Sequence, residues 1–109
     1  MHEMAVMQGV VDQVTERLGD TTVTEVHLTV GKLSGVVPDS LRFCFDLACA
    51  GTSMEGADLE IDEPAGLAEC RSCALQFPLD HPILLCPCGS ADVHVISGEE
   101  LLIHSVKVA

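Results

Sequence analysis

Residues 70–90 read CRSCALQFPLDHPILLCPCGS, and this stretch decides how the rest of the chain is divided. Cys70 and Cys73 form C-x2-C; after twelve intervening residues Cys86 and Cys88 form C-x-C, followed by Gly89. Two close thiol pairs across a short loop are how a chain surrounds a tetrahedral zinc ion with four thiolates. The segment between them has too few apolar residues to fold unaided. Metal ligation can supply the deficit, at roughly 10–16 kcal/mol for structural Zn²⁺ near neutral pH. Three other readings stand beside this one: a site in which His81 or His94 replaces one sulfur, a redox C-x2-C that leaves the second pair unexplained, and disulfides. The last require an oxidising compartment. A usual zinc knuckle has two residues between its cysteines, so that backbone N–H groups turn toward the first sulfur. Here only Pro87 intervenes, and proline has no N–H. A closed four-thiolate site leaves no open position for a substrate. Function therefore lies elsewhere.

Upstream of the insert the pattern is regular. From Glu3 to Leu18, Met4, Met7, Val11, Val14 and Leu18 recur at helical spacing, with Gln8, Asp12 and Glu16 on other faces. Gly19-Asp20 ends this helix. TEVHLTVG then alternates Val26, Leu28 and Val30 against Glu25, His27 and Thr29, the signature of a half-buried strand with His27 on its solvated face. After the loop GKLSGVVPDS, Pro38 and Asp39 suit a helix start, and Leu41, Cys44, Phe45 and Ala48 form its buried face. Cys44 and Cys49 point to different sides of that helix and read as small buried thiols. ADLEIDEP gives a second strand that Pro64 stops.

Downstream, DVHVI and ELLIHSVKV read as two strands joined by SGEE, the last long and apolar enough to return to the main sheet. The expected class is α+β, with two helices packed on one face of a small mixed sheet and a ribbon-type zinc module inserted. The expected division is an α+β domain at residues 1–66, completed by a C-terminal strand at 99–109, with the module at 67–98.

Composition narrows the function. The chain has 109 residues and a formal charge of −12, with only five Lys and Arg. That balance opposes nucleic-acid binding, which draws on clustered basic residues. No run approaches transmembrane length and no signal-peptide layout precedes the first helix, so the expected location is the cytoplasm, with thiols reduced. No Ser/His/Asp order, phosphate loop or isolated carboxylate pair marks an enzyme.

The first three residues are Met1, His2 and Glu3. The terminal amine, the amide nitrogen of His2 and its imidazole can grip one cation in two fused chelate rings. Nitrogen donors in a plane favour Ni(II) or Cu(II). The fourth position is open to Glu3, another part of the chain, water or a receiving protein. Such a site can bind a metal and still release it.

An opening MHEM running into an amphipathic helix, the GKLSGV loop, the PDSLRFCFDLACAGT helix, the LEI strand and a paired-cysteine insert ending CGS follow one another over the whole chain. In this order they resemble the HypA/HybF family of nickel metallochaperones, which serve maturation of nickel–iron hydrogenase and, in some bacteria, urease. The resemblance implies transported Ni(II) bound by Met1, His2 and Glu3, and structural Zn(II) held by Cys70, Cys73, Cys86 and Cys88. It also implies docking to a nickel-handling GTPase and service, direct or indirect, to a hydrogenase large-subunit precursor. A monomer or weak homodimer is implied as well. One departure is plain: family members usually carry C-P-x-C in the second pair, where this chain has Cys86-Pro87-Cys88. The reading from a different class is a zinc-ribbon adaptor or nucleic-acid-binding module that transports no metal.

Overall fold

A computed structural model describes residues 3–109. The elements run α1 (Glu3–Leu18), β1 (Val23–Val30), α2 (Pro38–Cys49), β2 (Asp58–Asp62), β3 (Gly66–Cys70), β4 (Gln76–Leu79), β5 (Val93–Ser97) and β6 (Leu101–Val108). They form two three-stranded sheets, ordered β2-β1-β6 and β4-β3-β5. The class is α+β, with two helices on a small mixed sheet and a separate cysteine-bearing sheet.

Local chemistry sets the helix ends. Gly19 takes φ +59°, open to a residue without Cβ, and its N–H donates to the Thr15 carbonyl at 2.8 Å. In α2 no side chain caps the N-terminus; Pro38 is preset for the first turn and Asp39 lies there beside the helix dipole.

In the first sheet β1 is central, parallel to β2 and antiparallel to β6. Its Val26, Leu28 and Val30 are buried beneath Met7, Val11 and Val14 of α1 and Leu41, Phe45 and Cys49 of α2. Leu59, Ile61, Ile103 and Val106 add half-buried apolar surface from the flanking strands. Met4, expected on the buried stripe of α1, is exposed, and Val10 is buried instead. Cys49 is fully buried in this core, and burial beside Asp46 pushes its thiol up to about 11. It behaves as a small hydrophobe.

The expectation that His27 is simply solvated is corrected. Its side chain is only 29% exposed, and its Nε2 lies 3.0 Å from Asp62 Oδ2. Of the two strands at 93–97 and 101–108, β5 joins the second sheet and β6 the first.

The central strand of the second sheet was not legible from hydropathy, because β3 buries Gly66, Ala68 and Cys70, residues too small to read as a strand face. Ala68, Cys70, Phe77, Leu79, Cys86 and Val93 form a second core, and Leu33 packs against it from the β1–α2 loop. With two cores the molecule is long. It measures 53 × 20 × 18 Å with a radius of gyration of 16.9 Å, against about 13 Å for a compact domain of this size.

Three chain segments cross where the sheets meet. Gly31 N–H donates to Glu100 O at 2.7 Å, Lys32 N–H to Pro64 O at 3.0 Å and Leu33 N–H to Gly98 O at 2.8 Å. A Cβ on Gly31 would run into the Gly98 carbonyl oxygen, and one on Gly98 into Gly66 Cα. These are backbone atoms and cannot rotate away.

Gly31→Ala should therefore destabilise the protein by at least about 1–3 kcal/mol. Gly9→Ala, within α1 and with nothing inside 4 Å of the new Cβ, should instead stabilise it by about 0.5–1 kcal/mol. Urea unfolding of the two variants checks both signs.

Candidate metal centre

Each pair of cysteines sits on its own tight turn. Cys70 ends β3, and its N–H donates to Leu75 O at 2.9 Å while Ala74 N–H donates back to Cys70 O at 2.8 Å. Closing that turn puts Ala74 at φ +65°, a left-handed conformation that side chains seldom adopt. The second arm closes through Cys86 N–H to Ser90 O at 2.9 Å and Gly89 N–H to Cys86 O at 2.8 Å. Two links hold the arms together: Arg71 to Asp92, by backbone at 2.9 Å and by side chain at 3.1 Å, and Ser72 Oγ to Ser90 Oγ at 2.9 Å. Nothing in the spacing of the cysteines announced these links.

The four sulfurs converge. Cys70 Sγ lies 3.8 Å from Cys88 Sγ, Cys73 Sγ lies 3.6 Å from Cys86 Sγ, and all four lie within 4.8 Å of one another. Four thiolates placed tetrahedrally at the usual zinc–sulfur bond length stand about 3.8 Å apart. The donor set and its spacing fit zinc. His81 and His94 are not part of this cluster, the only one of its kind among the described residues. His81 is exposed and its Nδ1 accepts from Ile83 N–H at 3.3 Å.

The proline in the short pair does less harm than its missing N–H suggests. The N–H of Cys88, one residue later, donates to Cys86 Sγ at 3.4 Å. One N–H···S bond thus survives in the C-x-C arm.

The free thiols differ in acidity. The N–H of Cys73, and behind it that of Ser72, favours thiolate at Cys70 and brings it down to about 6 against the opposing effect of burial. At Cys86 the Cys88 N–H also favours thiolate. There burial and hydrogen bonds with the Cys88, Cys73 and Cys70 thiols outweigh it and push the group up to about 12. Of these two, Cys70 is the readier to ionise. Cys70 and Cys86 face the small core, while Cys73 and Cys88 face solvent.

At the other expected site, Glu3 opens α1 in its first turn. Met1 and His2 lie outside the described residues. No helix of the described residues is long and apolar enough to cross a membrane.

Comparison with known proteins places these features. The family model described as hydrogenase/urease nickel incorporation, metallochaperone, hypA matches residues 1–108. Hydrogenase maturation factor HypA of Streptomyces avermitilis is 54% identical over 112 residues, covering 97% of this chain and 86% of its own. The factor of the same name from a Nostoc strain is 45% identical over 108 residues, covering 99% and 96%. Among solved structures, the solution structure of the Ni metallochaperone HypA from Helicobacter pylori superposes with a TM-score of 0.65 at 18% identity, covering 99% of this chain and 97% of its own. At that identity the likeness speaks for the fold.

Removing metal should unfold the second sheet and leave the first. Chelation, or Cys70→Ser, should strip hydrogen-exchange protection from residues 66–97 while α1, α2 and β1 keep theirs. Equal protection with and without metal would contradict this. Cys88→Ala should abolish tight zinc binding and His81→Ala should leave it intact, as zinc content after gel filtration will show.

Proposed function

As the chain belongs to the HypA family of hydrogenase nickel-incorporation metallochaperones, we propose that it captures Ni(II) through Met1, His2 and Glu3 and releases it to the maturing enzyme. The observation that carries this reading is a family match that begins at residue 1 and so includes the Met-His-Glu opening. On this reading the chain is a carrier rather than a catalyst.

The chemistry follows from the donors. The Met1 amine and the His2 amide and imidazole occupy three corners of a plane, an arrangement that suits Ni(II). The fourth corner stays open, for Glu3 while the metal is held and for an acceptor's ligand when it leaves. The His2 amide must give up its proton to become a strong donor, so reprotonation loosens two chelate rings together.

Cys70, Cys73, Cys86 and Cys88 hold structural Zn(II), and the ordered second sheet is what that zinc supplies. The net charge of −12 favours a basic docking face on the partner. The partners proposed are a nickel-handling GTPase and, directly or through it, the hydrogenase large-subunit precursor, all in the cytoplasm. Service to urease is the second destination that the family description supports.

Titrating the zinc-loaded protein with Ni(II) should produce the d–d band of a planar site. His2→Ala should remove it. A chain that bound only zinc would give no band, as expected of a zinc-ribbon adaptor.

Nickel affinity should fall as pH drops from about 8 toward 6. An imidazole near 6.5 and an α-amine near 7.7–8.0 must both be deprotonated to bind, so acid competes with the metal. Affinity flat across that window would point to carboxylates or thiolates.

The position of the amine gives a sharper test. One glycine added ahead of Met1 completes a four-nitrogen plane from amine, two amides and imidazole. The extended protein should bind nickel at least as tightly yet pass it poorly to a competing acceptor. Acetylating the native amine should weaken binding outright. Normal transfer by both forms would exclude the amine as a ligand.

A further inference from the structure

The sheet face turned away from the helices carries a group that neither metal site uses. His27 of β1 lies there between β2, which presents Glu60 and Asp62, and β6, which presents His104. His27 Nε2 is 3.0 Å from Asp62 Oδ2, and the His104 ring stands edge-on to His27 with centroids 5.0 Å apart.

The backbone makes this pairing. Leu28 is opposite Ile103, but His27 is opposite Ser105, so His104 is the extra residue of a bulge in β6. Bulges re-aim side chains and are common beside functional sites. This one sets a second imidazole beside the first on an open face.

We infer that His27, His104 and Asp62 form a further cation site, for a borderline divalent metal of the nickel, copper and zinc class. Two donors at right angles on one such ion, with bonds near 2.0–2.1 Å, lie about 2.9 Å apart, and two imidazoles sharing it have centroids about 4.5–5 Å apart. Both observed spacings match. The 3.0 Å spacing also suits a hydrogen bond, and the metal takes the place of the proton in that bond. It is the pair of rings that goes beyond an ordinary His–Asp contact.

The donor atoms do not all converge as the four sulfurs do, so the site closes when the exposed His104 side chain turns its ring toward Asp62. Two imidazoles and a carboxylate suit borderline first-row ions, whereas magnesium and calcium prefer oxygen donors alone. Glu60, in register with His27 across the β1–β2 pair, adds negative charge that draws a cation in. Water fills the remaining positions. Nickel held there is six-coordinate and paramagnetic, unlike nickel in a plane of strong nitrogen donors.

The test uses the full zinc-loaded chain carrying His2→Ala, titrated with nickel chloride alone and followed by NMR of the imidazole resonances. His27 and His104 should broaden together, with about one ion bound per chain. His104→Gln, at an exposed position, and Asp62→Asn, at a side chain 68% exposed, should each weaken nickel binding at least tenfold while leaving the amide spectrum and zinc content unchanged. Broadening centred on His81 or His94, or affinity unchanged in both variants, would overturn the assignment. Because His2 is absent throughout, the outcome is independent of whether the N-terminus binds nickel.

Discussion

The architecture depends on a place where there is no room for a side chain. At Gly31, Gly66 and Gly98 backbone packs directly on backbone, and hydrogen bonds from residues 31–33 reach carbonyls at 64, 98 and 100. Together these bonds hold the end of β1 against the two chain segments that connect the sheets. The chain leaves the first sheet through 62–66 and returns through 97–101. Without this junction the two sheets would be joined only by two strands of loop. Leu33 reinforces it, reaching from the helical side into the small core of the cysteine-bearing sheet.

The two sheets are stable for different reasons. Beneath α1 and α2 the core is continuous and aliphatic, with Phe45, Met7 and Leu41 among its largest fully buried side chains. Area removed from water holds it together. The second core has six buried residues, two of them the cysteines Cys70 and Cys86. Two of the four candidate metal donors are therefore part of its packing, while Cys73 and Cys88 lie at its exposed edge. Acidity follows the same division: the buried Cys49 is held protonated far from any metal, while Cys70 is poised to ionise where backbone N–H groups point at its sulfur.

The residues proposed to hold the cargo stand at the start of α1, which Glu3 opens, and the buried face of that helix rests on the aliphatic core and not on the sulfur cluster. On the sheet face opposite the helices the half-buried His27 meets the ring of His104.

Much of this could be read from the residues. Apolar spacing located α1, α2, β1 and β2, because each buries branched or aromatic side chains at the period of its own backbone. Thiol spacing marked Cys70, Cys73, Cys86 and Cys88, because few other chemistries need four sulfurs in so short a span. The Met-His-Glu opening reads as a donor set from the residues alone, and Met1 and His2 lie outside the described residues. What the tertiary structure alone decided was everything carried by small residues or distant partners. β3 was hidden because Gly66, Ala68 and Cys70 bury little hydrophobic area. His27 met Asp62 and His104 because parallel pairing and a bulge aligned residues 35 and 77 positions away, and no local period records a contact made across strands.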